Sequence, residues 1–106
     1  PDQVAYLIEI GLVKAYLDAA FAELVERKND TIIVRFEKAS LKFFLTQDYF
    51  EAISKTHLKA KISDNQGKVE ITFDVRNKKD YEILEELKIF GQTFMEIKGR
   101  KEKKET

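Results

Sequence analysis

The first quarter of the chain places apolar residues on nearly every side of a helical projection. Over residues 4–25, one apolar seam recurs at steps of three or four residues and includes Ile10, Val13 and Leu17. A second apolar strip lies displaced around the helix axis. It comprises Ile8, Gly11, Leu12, Ala15, Tyr16 and Ala19, with Gly11 allowing close approach of another backbone. A surface helix needs one apolar face, so two faces predict two packing partners: the protein's own sheet and a second copy of the chain.

Alternating apolar and polar residues predict strands further along. The segment 31–37 is rich in β-branched residues and is predicted to be a strand. Residues 57–76 alternate on both sides of the turn 64–67, which indicates a hairpin. Pairing Ser63 with Lys68 sets its expected register and would bring His57 beside Asp74. A helix should follow, with Ile83, Leu87 and Phe90 on its apolar stripe.

Two segments fit more than one structure. Residues 40–55 fit either a strand over 41–46 followed by a short helix over 48–55, or one helix, and we prefer the first. Gly91 either ends the preceding helix, which makes 92–98 an edge strand, or lies inside a helix that continues; we prefer the ending. With both preferences, residues 41–98 have the ferredoxin-like order βαββαβ. The predicted class is α+β, an antiparallel sheet with a long N-terminal helix in a single domain over 1–98, followed by a charged flexible tail over 99–106.

Composition narrows the function classes. The 106 residues contain 19 basic and 19 acidic side chains and no Cys, which excludes a disulfide framework and Cys-ligated metals. The abundance of Lys and Glu resembles that of thermophile proteins. Glu9, Lys14, Asp18 and Glu23 interrupt the apolar run, so we expect no membrane span, and we expect a cytoplasmic location.

No sequence motif supports catalysis. The single histidine, His57, lacks ligand-spaced partners, and the phosphate-loop, zinc-protease and nucleophile-elbow motifs are absent, so we expect no enzyme activity and no cofactor. We expect a small association protein, most simply a homodimer. The alternative is a nucleic-acid-binding module, in which basic residues interleave with Phe43, Phe44 and Tyr49. Its candidate contacts are Arg35, Lys42, Lys59, Lys61, Arg100 and Lys101.

Overall fold

Three α-helices and a four-stranded antiparallel sheet make up the chain. The structure is a computed structural model that describes the backbone of residues 2–105 and the side chains of residues 4, 5 and 7–103. In chain order the elements are α1 (Asp2–Ala19), β1 (Ala22–Lys28), β2 (Thr31–Phe36), a 3-10 helix (Lys38–Lys42), α2 (Thr46–Ser54), β3 (Lys59–Asn65), β4 (Lys68–Asp74) and α3 (Asp80–Glu105). The strand order is β1-β2-β4-β3. The predicted α+β class is therefore confirmed.

The core lies between one face of the sheet and the helices. Alternate residues of β2 and β4, among them Val34 and Phe73, are fully buried on that face. Helix α3 covers them with Phe90 and Phe94, whose rings meet each other edge to face with centroids 5.0 Å apart. Helix α1 adds Leu17 to the same core. The opposite face of the sheet carries no helix among the described residues, and its side chains are partly or fully exposed.

The first helix ends earlier than the apolar run. Residues 22–28 form β1 instead of continuing the helix, because Phe21 adopts a left-handed backbone (φ 69°) that reverses the chain direction. A two-residue turn then joins β1 to β2, with Asn29 at φ 52°. Asn tolerates this conformation, so the Asn29-Asp30 pair was the signal for this hairpin. The prediction of one helix over 4–25 is wrong for its last turn and a half.

Both preferred strand assignments in the second half are wrong. Residues 38–42 form a 3-10 helix and 46–54 form α2, so there is no strand over 41–46. Helix α3 runs through Gly91 to Glu105, so 92–98 is helical as well. The helical stripe prevails over the alternating pattern because Phe94 and Ile97 join Phe90 in the core. The ferredoxin-like order over 41–98 is therefore not formed.

The predicted β3–β4 hairpin exists, but its register differs. Asn65, rather than Ser63, pairs with Lys68, which shifts every pair by two residues and places Ile62 opposite Ile71. The turn is the two-residue Gln66-Gly67 with both φ angles positive (54° and 85°), a geometry that matches the twist of the strands. A shift of two keeps each side chain on its predicted face. It removes His57 from Asp74, and the His57 ring nitrogen Nδ1 instead lies 3.1 Å from Glu86 of α3.

The charged segment that follows residue 98 is ordered helix, contrary to the expected flexible tail. Residues 99–105 continue α3, and two of their side chains bind α2. Arg100 donates a hydrogen bond to Glu51 at 2.7 Å, and the Lys101 ammonium lies 2.5 Å from the Asp48 carboxylate. Asp48 is buried, so Lys101 neutralises a charge that would otherwise be costly inside the protein.

Candidate functional site

Helix α1 leaves an apolar face uncovered in the single chain. We define the outward stripe as Val4, Leu7, Ile8, Gly11 and Ala15, all of which are exposed. Leu7 and Ile8 expose 66% and 65% of their surface, values that no other large aliphatic residue of the described chain exceeds. Helical spacing brings these residues onto one side of α1. Large apolar side chains grouped on one surface are typical of an interaction site.

The side of α1 opposite the outward stripe packs against α3. This packing fixes the direction in which the outward stripe points. Tyr16 packs on Gly91 so closely that a Cβ atom added to Gly91 would lie 2.7 Å from the Tyr16 Cβ. Lys88 of α3 donates a hydrogen bond of 3.1 Å to Glu9. That carboxylate raises the pKa of Lys88 above its ordinary value, so the ammonium stays charged in the pair. These contacts orient α1 with Val13 and Leu17 inward and the outward stripe toward solvent.

The second apolar strip predicted from the sequence is only partly exposed in the structure. Ile8, Gly11 and Ala15 lie on the outward stripe, whereas Leu12, Tyr16 and Ala19 are half-buried toward the chain's own helices. Gly11 has room beside it, since a Cβ added there would meet no described atom within 4 Å. The close backbone approach within this chain is instead at Gly91.

Sequence reasoning missed two members of the outward stripe. Val4 and Leu7 stand one helical turn before Ile8 and Gly11. Val4 precedes Ile8 by four residues and Leu7 precedes Gly11 by four residues, and this helical spacing was the signal that could have found them.

An apolar groove runs along the other flank of α1, beside the free edge of β1. It encloses about 370 Å³ and is lined by residues such as Ile10, Leu17 and Val25. Ile10 and Val25 remain 40% and 47% exposed, because β1 is an edge strand and α1 covers its inner face incompletely. The exposed apolar surface of α1 therefore includes this groove beside the sheet as well as the outward stripe.

The basic residues proposed for nucleic-acid contact do not form one surface. Arg35 on the outer sheet face binds Glu70 at 2.8 Å, while Arg100 and Lys101 bind Glu51 and Asp48 of α2. The Arg35–Lys42 proximity expected from strand pairing is not formed, because Lys42 ends the 3-10 helix and β2 pairs with β1 and β4. Lys59 and Lys61 are exposed on β3, also on the outer face, and make no ion pair with any described residue.

The aromatic residues expected among these cations are mostly in the core. Phe44 and Tyr49 are buried, and the Tyr49 hydroxyl shares a short hydrogen bond with Ser40. Burial raises the pKa of Tyr49 above its ordinary value and outweighs the opposing effect of the Ser40 hydrogen bond. Phe43 remains 46% exposed, but its ring stacks on that of Phe21, between α1 and β1. The outer face of the sheet therefore carries no aromatic platform for bases among the described residues.

The described residues offer little for catalysis or metal binding. No group of three or more His, Asp or Glu side chains among them is arranged to hold a metal ion. His57 donates its backbone N–H to Glu86 and presents its ring to solvent, with 83% of the side chain exposed. In the same part of the chain, no helix has the length and apolar character that crossing a membrane requires.

A comparison with known proteins gives one informative match. No family model matches the chain, and no curated protein matches it. A crystal structure of the C-terminal domain of transcription-repair coupling factor superposes with a TM-score of 0.90 at 59% sequence identity, over 95% of this chain. The chain spans 63% of the length of that solved chain. It is thus similar to this domain in both sequence and fold.

Proposed function

We propose that this chain is a non-catalytic association domain of a protein related to transcription-repair coupling factor, and that it binds its partner through the outward stripe of α1. The observation that carries the proposal is the exposure of Leu7 and Ile8, at about two thirds of their surface, on a helix whose opposite side is fixed in the core. The likeness to a domain of a coupling factor supports a role in assembly. The partner expected first is a second copy, which would make a symmetric dimer.

The shape of the stripe supports a closely packed helix pair. Gly11 and Ala15 are one turn apart and exposed, and their small side chains leave room for a partner backbone. Val4, Leu7 and Ile8 would flank this hollow with large apolar side chains. Large apolar side chains beside two small residues on one helix face suit a two-fold symmetric interface, in which each copy presents the same surface to the other.

Mass measurement by light scattering tests the proposal directly. The chain has a mass of 12.4 kDa, so a dimer should scatter as twice that value. We expect the Leu7→Glu/Ile8→Glu variant to be a folded monomer, because both side chains already face solvent and their charge opposes only association. Tyr16 is unsuitable for this test, because it packs against Gly91 of α3 and its loss would disturb the fold.

A matched control keeps the result specific. Tyr81, at the start of α3, is 65% exposed and lies outside α1, so Tyr81→Glu should leave the mass unchanged. A wild-type chain that scatters as a monomer up to high concentration would exclude the dimer. If the wild type is a dimer and the Leu7→Glu/Ile8→Glu variant has the same mass, the outward stripe is excluded as the dimer interface.

Nucleic-acid binding is the second candidate function. Lys59 and Lys61 favour it, since neither makes an ion pair with a described carboxylate and both line a groove on the open sheet face. Arg76 and Asp74 line the same groove. Binding by these cations should weaken steeply as salt rises. We expect Lys59→Gln/Lys61→Gln to abolish any shift of a single-stranded oligonucleotide at low salt. No shift by the wild type under the same conditions would remove this candidate.

A further inference from the structure

The first strand of the sheet has a free edge. The strand order β1-β2-β4-β3 gives β1 a strand neighbour on one side only, and residues 25–28 are all exposed. Lys28 and Thr31 flank a two-residue turn, so they form a hydrogen-bonded pair, and such pairs alternate along the two strands from there. The backbone N–H and C=O groups of Val25 and Arg27 therefore point away from β2. No described strand lies on that side to bond them.

The apolar groove beside α1 lies along this edge. Val25 is opposite the buried Val34 in the β1–β2 pairing, so its side chain is on the inner face of the sheet, where it lines the groove. Ile10 of α1 and Leu84 of α3 line the same groove. A strand added beside β1 would place every second side chain over this groove, because side chains alternate between the two faces of a sheet.

The charges that line the groove balance one another. Its three ionisable side chains are those of Lys14, Asp18 and Glu23. Glu23 is already bound by Lys68 at 2.8 Å, which leaves one positive and one negative side chain. An occupant with charged side chains on its inward row would therefore find no charge surplus to neutralise. Apolar side chains match the groove instead, because its remaining lining is apolar.

The charged side chains of β1 beyond the groove also balance. Arg27 lies on the inner face and is held by Asp80 at 2.9 Å. Glu26 and Lys28 lie on the outer face, carry opposite charges and make no ion pair with any described residue. The edge therefore favours neither an acidic nor a basic segment. Backbone hydrogen bonds and apolar contacts are the interactions that it offers to a partner.

We propose that the free edge of β1 binds an extended segment of a partner protein, which adds a fifth strand to the sheet. The segment would exchange backbone hydrogen bonds with Val25 and Arg27 and place apolar side chains over the groove at every second position. A helix would not bond this edge, because its own backbone groups are paired within the helix. The bulge between Ala22 and Leu24 confines regular pairing to residues 24–28. The edge is on the other flank of α1 from the outward stripe, so this site goes beyond the proposed function.

Amide hydrogen exchange followed by NMR tests the edge directly. In the free chain, the amides of Val25 and Arg27 should exchange faster than those of Glu26 and Lys28, which bond to β2. The probe for the complex is a peptide selected on the wild type from a display library of random linear peptides about ten residues long, which is enough to pair with β1 and extend beyond it. Its binding should slow exchange at Val25 and Arg27 at least about tenfold.

The selected peptide itself provides a second test. Its sequence should carry Val, Ile, Leu or aromatic residues at every second position. N-methylation at one residue at a time removes one backbone donor from the peptide. We expect the affinity, measured by fluorescence anisotropy, to fall at least about tenfold at every second residue and to change little at the residues between them. This test leaves the protein unaltered, so it does not depend on the fold of a variant.

A proline variant and a matched control test the edge from the side of the protein. Val25→Pro removes an N–H that points away from β2, and proline is tolerated on strand edges, so the fold should persist in circular dichroism. It should weaken the selected peptide at least about tenfold. Ala60→Pro is the control, because Ala60 has the corresponding outward N–H on β3, the other edge strand. It should change the affinity by less than about twofold.

Several results would overturn the proposal. They are the absence of any enriched peptide, enriched peptides without a two-residue alternation, and a bound peptide that leaves exchange at Val25 and Arg27 unchanged. A dimeric wild type that becomes monomeric in Val25→Pro would assign the edge to a second copy. The Leu7→Glu/Ile8→Glu variant should bind the selected peptide as the wild type does. Failure of the outward stripe and failure of the β1 edge are therefore distinguishable.

Discussion

At the scale of single residues, buried polar groups determine where this protein is most sensitive. Ser40 and Tyr49 are both fully buried, and each hydroxyl is the partner of the other. A buried hydroxyl deprived of its partner costs about 1–3 kcal/mol of unfolding free energy. The pair also fixes the 3-10 helix to α2, because Ser40 and Tyr49 belong to those two elements.

Tyr49→Phe should therefore destabilise the chain by about 1–3 kcal/mol, measured by urea unfolding near pH 7. Adding Ser40→Ala should recover much of the loss, because no unpaired hydroxyl then remains. Burial raises the pKa of Tyr49, so the wild type should lose stability as pH rises above the unfolded value of about 10. Tyr49→Phe should weaken that alkaline loss. An equal alkaline loss in both proteins would contradict the assignment to Tyr49.

Glu70 is the corresponding acidic residue on the outer sheet face. A hydrogen bond from Asn65, followed by one from Arg35, holds the pKa of Glu70 below its ordinary value. The stability it contributes is therefore present above the unfolded pKa of about 4.3 and is lost as pH falls through the folded pKa.

We expect Glu70→Gln to lower the free energy of unfolding by about 0.5–1 kcal/mol near pH 7, because the ion pair with Arg35 is partly exposed. The difference from the wild type should shrink as the pH falls below the unfolded value of about 4.3 and through the lowered folded pKa of Glu70. Urea unfolding of both proteins near pH 7 and at a series of acidic pH values checks this, with Glu26→Gln on the same face as a control that has no ion pair among the described residues. A difference that grows in acid would contradict it.

At the scale of elements, two helical glycines have opposite roles. Gly91 lies where α3 meets Tyr16 of α1, and Gly11 faces open space on the outward stripe. Gly91→Ala would place a methyl group 2.7 Å from the Tyr16 Cβ, so the two helices must separate. A helix interior otherwise favours Ala over Gly by about 0.5–1 kcal/mol.

We therefore expect Gly91→Ala to destabilise the chain by about 1–3 kcal/mol through overpacking, although Ala is the better helix former. Gly11→Ala should raise the midpoint of thermal unfolding of the monomer, because the added methyl group has room and Ala is the better helix former. If α1 pairs closely with a partner, Gly11→Ala should also weaken association, which light scattering would detect. A stabilised Gly91→Ala variant would show that α1 does not press on α3 there.

At the scale of the whole molecule, the C-terminal end of α3 connects the helical layer to the corner formed by α2. Lys101 neutralises the buried Asp48, whereas the Arg100–Glu51 pair is more exposed. Removing a charged partner is more costly when the remaining charge is buried.

Lys101→Met should accordingly lower the free energy of unfolding by about 1–3 kcal/mol, because among the described residues Asp48 then keeps only the Leu45 N–H as a partner. Arg100→Met should cost less than about 1 kcal/mol. Denaturant unfolding of both variants distinguishes an ordered helical end from the flexible tail that the composition suggested. Equal, negligible effects would favour the flexible tail.

The sequence by itself determined the class of the protein and the two-sided apolar character of its first helix. Apolar residues that recur every two residues predict a strand, and those that recur every three to four residues predict a helix. Where one of these patterns dominates, as in the β3–β4 hairpin and the first turns of α3, the predicted residues are the ones that face the core. Helical spacing alone therefore assigns Ile8, Gly11 and Ala15 to one apolar strip.

Only the tertiary structure decided between helix and strand in the segments whose apolar residues fit both patterns. Residues 22–28 became a strand because β2 offered a pairing edge, and residues 92–98 stayed helical because Phe94 and Ile97 found the core. The hairpin register depended on the backbone angles of two turn residues, which the side-chain pattern does not specify. The stacking of Phe43 on Phe21 beside Lys98 likewise brings together residues from three separate parts of the chain. The preference of a segment for strand or helix depends on the residues that it packs against, and these are often far apart in sequence, so local patterns leave such choices open.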